Sequence, residues 1–225
     1  MKRAPLFFRS LIPVMVFGSM IPLSSCLTLS ESYEFKKNGS GSMTYLIDMS
    51  ELVAILKIAE SNESEEKIST QFSFTELGEK IEEIEGVSQV KVLDDPENYK
   101  FGVTFKFKGI EPLNQALNSI LITNPKDKKH DFFKMEGNTI IRTHLINKNV
   151  LTSQLEGSDI PDQNFSLMES MLYKLNFSFP KPVKVVYSSA EAEMVGKKNR
   201  KVNIEASFKT LLDDETALNT SIVLK

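Results

Sequence analysis

The sequence predicts an α+β fold: a mainly antiparallel, twisted sheet built from hairpins, with helices packed on one face. Three observations carry this expectation. Turn signals at Asn38-Gly39 and Gly137-Asn138 each separate two runs of alternating character, the mark of a β-hairpin. Residues 99–108 alternate strictly, with Tyr99, Phe101, Val103, Phe105 and Phe107 set against Lys100, Gly102, Thr104, Lys106 and Lys108. Such a strand has one dry face and one wet face. Helical spacing follows hairpins here rather than alternating with single strands, which disfavours a parallel βαβ sheet.

Taken in order, residues 28–37 read as a strand and 42–48 as its return. The Gly39-Ser40-Gly41 between them is no phosphate loop, because it lacks the Walker lysine and its spacing. Asp48 is placed to cap a helix, with Glu51 as capping-box partner and Met49, Leu52, Val53 and Leu56 on one face. Residues 61–70 are polar and read as a loop. Ser73 and Glu76 form a second capping box, with Phe72 and Leu77 at staple positions. Leu77, Ile81 and Ile84 continue that helix to Gly86. Val90 and Val92 begin a strand that stops at Asp94-Asp95-Pro96, and the 99–108 strand follows. Pro112 opens a helix whose buried face is Leu113, Ala116, Leu117, Ile120 and Leu121. After a polar loop at 123–131, Phe132–Glu136 and Thr139–Ile146 form the next hairpin, and 164–172 a short helix. Tyr173, Leu175, Phe177 and Phe179 alternate as a strand, broken by Pro180 and Pro182. Strands at 183–187, 202–208 and 218–224 complete the set, with a turn or single helical turn at 210–216.

The N-terminus has a different character. Lys2, Arg3 and Arg9 precede a short, mostly apolar run, and no acid occurs before Glu31. This is the layout of a secretory signal peptide. The apolar run is shorter than the roughly 20 residues needed to span a bilayer. It ends in Leu23-Ser24-Ser25-Cys26, which resembles the lipobox of bacterial lipoproteins. The resemblance implies cleavage before Cys26 and acylation of its thiol, hence stable attachment to a membrane by more than one acyl chain. An ordinary secretory signal with a core cysteine is the alternative. The expected organisation is a signal peptide over 1–25, a lipid-anchored linker over 26–30 and a single α+β domain over 31–225. Leu27, rather than Asp, follows the cysteine, which by the same resemblance points to the outer membrane, facing the periplasm.

Composition narrows the remaining choices. The signal removes three cations from a chain with 27 basic and 30 acidic residues, leaving a mature charge of about −6. That argues against a nucleic-acid partner. Lys197-Lys198-Asn199-Arg200-Lys201 reads as a solvated turn, with contact to anionic lipid head groups as the other reading. Cys26 is the only cysteine, so no intramolecular disulfide or cysteine-based zinc site is available.

No cofactor or metal is expected. His130 and His144 stand apart from ligand-spaced Cys, Asp or Glu, and both are expected at the surface. Asp94-Asp95 and Asp213-Asp214-Glu215 fall in predicted turns, and Glu82-Glu83 on an outer helix face. General acid–base work needs a carboxyl buried enough to shift its pKa, and none of these is so placed. No Gly-x-Ser-x-Gly, HExxH or Rossmann pattern occurs. The chain is therefore expected not to be an enzyme.

Aromatic and methionine positions offer more. Phe101, Phe105, Phe107, Phe177 and Phe179 lie on alternating strands, with Met168 nearby. They are either plain core or the lining of an apolar cavity that adapts to a ligand. The strand entering Asn38-Gly39-Ser40-Gly41, the helix start at Asp48-Met49-Ser50 and the Phe179-Pro180-Lys181-Pro182-Val183 segment together resemble LppM-like envelope lipoprotein domains. That resemblance implies an α+β domain with a lipid- or glycolipid-binding cavity. The sequence departs from the family in lacking a late-strand Trp and a C-terminal membrane helix, and no site residue carries over. Two functions remain open: a non-catalytic module for a lipid or other apolar ligand, or a structural or assembly protein acting through an envelope protein.

Overall fold

Alternation along the first strand sets the architecture. In β1 (Thr28–Phe35), Glu31, Tyr33 and Phe35 are buried while Ser30, Ser32 and Glu34 are not. Gly39 takes the expected left-handed backbone (φ +77°), and the chain returns as β2 (Gly41–Asp48) in unbroken antiparallel register. The computed structural model describes residues 27–58, 74–122, 128–144 and 171–225. The signal segment, Cys26, the 61–70 loop, Phe72 and Ser73, residues 145–146 and the helix expected from 164, with Met168, lie outside the described residues.

β2 pairs next with β4 (Lys100–Phe107), which pairs with β3 (Val87–Asp95) at the edge. On the other side of β1 lies β7 (Leu172–Ser178), followed by β10 (Lys201–Ser207) and β9 (Glu191–Val195). The result is a seven-stranded sheet of order β3-β4-β2-β1-β7-β10-β9. A second, four-stranded sheet runs β5 (Phe133–Glu136), β6 (Thr139–Arg142), β11 (Thr220–Leu224), β8 (Val183–Ser188).

The α+β class and the mainly antiparallel pairing match the sequence reading; the division into two sheets and the parallel β1–β7 pair do not follow from it. Hairpin signals fix local partners only, and both β1–β7 and β6–β11 join segments far apart in the chain. β9 was not anticipated either. Four of its five residues are exposed, so it carries almost no burial pattern. Residues 28–30, read as the start of a strand although also assigned to the linker, pair with Asp48, Ile47 and Leu46.

Helices among the described residues are α1 (Ser50–Ile58), α2 (Thr75–Glu82), α3 (Ile110–Leu121) and α4 (Phe208–Asp213). Asp48 precedes α1 and its Oδ1 accepts from the Ser50 N–H at 3.1 Å and the Ser50 hydroxyl at 2.6 Å. α2 begins after Phe74 with no side-chain cap. α2 lies on β3, and α3 lies against α2, β4 and β5. Of the expected inner face of α3, Leu113, Ala116, Leu117 and Ile120 are buried and Leu121, in the last turn, is half-buried.

α3 also fastens the second sheet. Asn114 accepts from the Phe133 N–H at 2.8 Å and donates to the Phe133 carbonyl at 3.0 Å. One turn on, Asn118 makes the same paired contact with the backbone of His130, 2.8 Å each way. Two side-chain amides one helical turn apart thus stand in for a partner strand along residues 130–133.

Gly102 in β4 lies between Leu46 and Leu93 in register. A Cβ there would meet the Tyr45 carbonyl oxygen at 2.1 Å, so the strands can approach only because the side chain is absent. Gly102→Ala is expected to lower stability by about 2–3 kcal/mol through strand displacement. Urea unfolding checks this: the midpoint should fall while the slope stays unchanged.

Candidate functional site

Period-two alternation carries Leu29, Glu31, Tyr33 and Phe35 to one face of β1, so an acid falls on the side that faces the core. β1 is the fourth of seven strands, which puts Glu31 at the centre of that sheet with no exposed surface. The same alternation in β6 turns Ile140 and Arg142 inward from the second sheet. Arg142 Nη2 meets Glu31 Oε2 at 2.5 Å, and Arg142 is 1 % exposed. The hydroxyls of Tyr33 and Tyr173 donate to the two oxygens of the same carboxylate.

The other guanidinium nitrogen, Nη1, donates to His144 Nδ1 at 2.9 Å. Arginine only donates, so Nδ1 must accept and His144 is the neutral tautomer with its proton on Nε2. Burial and the Arg142 charge both push the His144 pKa well below the usual histidine range. Its backbone N–H donates to Asn219 at 2.7 Å, and its ring meets Tyr173 edge-on at 5.2 Å. Burial alone would depress the Arg142 pKa; the Glu31 carboxylate outweighs it and raises it. Burial first, then Glu31, raises the pKa of Tyr33 and of Tyr173. Arg142 Nε has no hydrogen-bond partner among the described residues, and the guanidinium lies 5.7 Å from the Phe133 ring centre.

His144 was expected at the surface and is instead buried, at 7 % exposure. It lies two residues beyond the end of β6, where the chain turns in beneath Asn219 rather than continuing as strand. His130 is half-buried, its Nε2 3.0 Å from the Thr143 hydroxyl. The acidic pairs were expected in turns, but Asp94 and Asp95 end β3 and Asp213 ends α4, each group capping the turn that follows. Asp95 accepts from the Asn98 N–H at 3.1 Å, and Asp214 from the Thr216 N–H at 2.8 Å.

Phe101, Phe105, Phe107, Phe177 and Phe179 are all buried in one continuous core. Phe107 packs on Phe35 at 5.7 Å, Phe177 on Tyr33 at 5.3 Å, and Phe179 on Phe35 at 5.8 Å. From the second sheet, Phe133 closes on Tyr33 at 4.8 Å. Three of the five phenylalanines are therefore in contact with other rings of the domain itself, and Phe101 and Phe105 are buried in the same core.

The outer face of the large sheet is the opposite surface. Register places Thr104, Thr44, Ser32, Asn176 and Asn203 in one row across five consecutive strands. All five are half-buried, uncharged and able to hydrogen-bond. Thr44 donates to Thr104 at 3.0 Å and Asn176 to Ser32 at 3.3 Å. The next row holds Lys106, Ser42, Glu34, Ser178 and Lys201. Apart from Thr104 and Lys106, the two rows line a groove of about 490 Å³, with Val195 beside them. No motif in the sequence announces this surface; only the strand register assembles it.

No family model matches the sequence, and no curated protein matches it at a significant level. Among solved structures, the folded domain of Mycobacterium tuberculosis LppM, determined by NMR, is similar over 99 % of this chain and 95 % of its own, at 13 % identity and a TM-score of 0.44. Nothing is carried over from so distant a likeness.

Removing one partner of a buried ion pair strands the other charge, so Glu31→Gln is expected to cost about 3–5 kcal/mol. The double replacement Glu31→Leu with Arg142→Met should cost clearly less than the sum of the singles. A double-mutant cycle by urea unfolding measures this. Stability should also depend on pH with a definite sign. Below about pH 6.5 an unfolded His144 binds a proton that the folded protein excludes. Stability is then full above about pH 7 and falls with acidification by up to about 1.4 kcal/mol per pH unit. His144→Phe should remove most of that slope in chemical unfolding between pH 5 and pH 8.

Proposed function

We propose that this chain is a lipid-anchored, non-catalytic binding domain of the bacterial cell envelope, acting through a partner at its surface. The join between anchor and sheet carries the reading. The lipobox ends at Cys26, the Leu27 carbonyl accepts from the Leu172 N–H at 2.9 Å, and β1 begins at Thr28. One residue therefore separates the acyl-bearing cysteine from the central strand of the large sheet. A tether that short holds the domain against the bilayer in a restricted orientation, unlike the long flexible linkers that let a domain roam.

The core favours a surface partner over an internal apolar ligand. Phe107, Phe177 and Phe179 pack on rings of their own domain and Phe101 and Phe105 are buried in the same core, so a lipid among them would have to displace those contacts. The non-catalytic reading draws support from the Glu31–Arg142–His144 cluster. Its Arg142 and His144 are shifted by their surroundings, and among the described residues burial leaves the cluster almost no exposed surface for a substrate. Leu27 after the cysteine supports the outer membrane, facing the periplasm, as its location.

Mass spectrometry of the protein extracted from membranes tests the anchor. The expected mass lacks residues 1–25 and carries a diacylglyceryl adduct, and Cys26→Ser should abolish both changes. An unprocessed mass, or cleavage without acylation, would contradict the reading. Native mass spectrometry of the same sample tests the choice of partner. The acylated chain alone is expected. A non-covalent lipid that survives detergent exchange would restore the cavity reading built on Phe101, Phe105, Phe107, Met168, Phe177 and Phe179.

A further inference from the structure

Charge is segregated along the strands of the large sheet. At the end next to Thr28, where the anchor attaches, stand Asp94 and Asp95 at the end of β3, Glu97 in the turn after it, and Asp213, Asp214 and Glu215 at the end of α4. β1 runs eight residues away from that end, about 26 Å at strand rise. At the far end stand Lys36, Lys37, Lys198 and Arg200 in the turns and Lys106 and Lys201 at strand ends, all exposed, outnumbering the exposed Glu34 and Glu85 there. Ion pairs among the described residues join Lys100 to Asp48, Arg142 to Glu31 and Lys174 to Glu205. None involves these six cations. Unpaired like charges at one tip repel one another, and an anionic partner relieves that repulsion.

The groove on the outer face opens onto the same tip. Its row of Thr44, Ser32, Asn176 and Asn203 has hydroxyls and amides that both donate and accept, with Val195 of β9 at one edge. In the next row Lys106 and Lys201 flank Glu34, its one carboxylate. A protein interface centres on buried apolar and aromatic anchors, which these rows lack. A bilayer surface would use the cations and leave the hydroxyl row without a role. A chain of sugars bearing carboxylates or phosphates uses both at once. We infer that the outer face of the seven-stranded sheet, together with its basic turns, binds an anionic polysaccharide of the envelope. This rests on the envelope reading above and adds the partner's chemistry.

The test uses the mature, acylated protein in detergent, with alginate as the polyuronate probe. Neutral dextran, polyglutamate and phosphatidylglycerol vesicles serve as comparisons, all at low salt. Biolayer interferometry should show alginate binding that weakens as salt rises, with dextran at least tenfold weaker. Lys36→Glu with Arg200→Glu, in exposed turns, should reduce alginate affinity at least tenfold. Asn176→Leu with Asn203→Leu should do likewise, with an unchanged melting temperature showing that the sheet is intact. If that second pair shifts the melting temperature, Ser32→Ala with Thr44→Val reads the same row. Absence of alginate binding would overturn the inference. So would equal binding to polyglutamate or to vesicles, or indifference to the row variants, since each would leave only a basic tip. The mass of Cys26 in the same preparation reports the anchor separately, so failure of either idea is visible without the other.

Discussion

The carboxylate of Glu31 lies at the middle of the large sheet's inner face, and its counter-charge comes from the other sheet. Neither ion reaches water. Arg142 can be buried only where Glu31 is, and the tyrosines at 33 and 173 complete the carboxylate's hydrogen bonds. Apolar packing alone would tolerate several ways of laying one sheet on another. A buried charge pair does not, because each wrong register leaves an ion in a medium that cannot solvate it. The pair therefore fixes how the four-stranded sheet sits on the seven-stranded one, and Phe133 meets Tyr33 as a consequence.

Once that arrangement is set, the two faces of the large sheet have separate tasks. The inner face holds the pair and the packed rings. The outer face carries a ladder of small hydrogen-bonding side chains across five strands, with basic side chains at one end. Leu27 leads directly into the strand that carries the central carboxylate, its carbonyl accepting from the Leu172 N–H. A rigid inter-sheet lock suits a domain that presents a fixed surface and needs no internal opening.

Much of the fold was legible because it is local. Asn38-Gly39 announces its hairpin, Pro112 its helix, and the 99–108 alternation its dry and wet faces. What was not legible is non-local. The parallel neighbour of β1 is more than a hundred residues away, and β11 inserts beside β6 from near the C-terminus. β9 is mostly exposed and lacks the pattern that marks a strand. The polar centre left a trace that is clear only in hindsight: Glu31 alternates in phase with Leu29, Tyr33 and Phe35, and Arg142 with Ile140. An acid and a base on two dry faces, far apart in sequence, are a signal for pairing, but only the topology brings them together. The outer-face row left no trace at all, because serine, threonine and asparagine at alternate strand positions are what any wet face can carry.

Side-chain NMR of the arginine guanidinium groups tests the central lock most directly. At neutral pH and ambient temperature, exposed arginines give averaged, rapidly exchanging Nη protons. The account predicts one guanidinium, lost in Arg142→Met, with separate and slowly exchanging Nη signals that collapse in Glu31→Gln. Rapid, averaged exchange for Arg142 in the unaltered protein would show that the two sheets are not held by this pair.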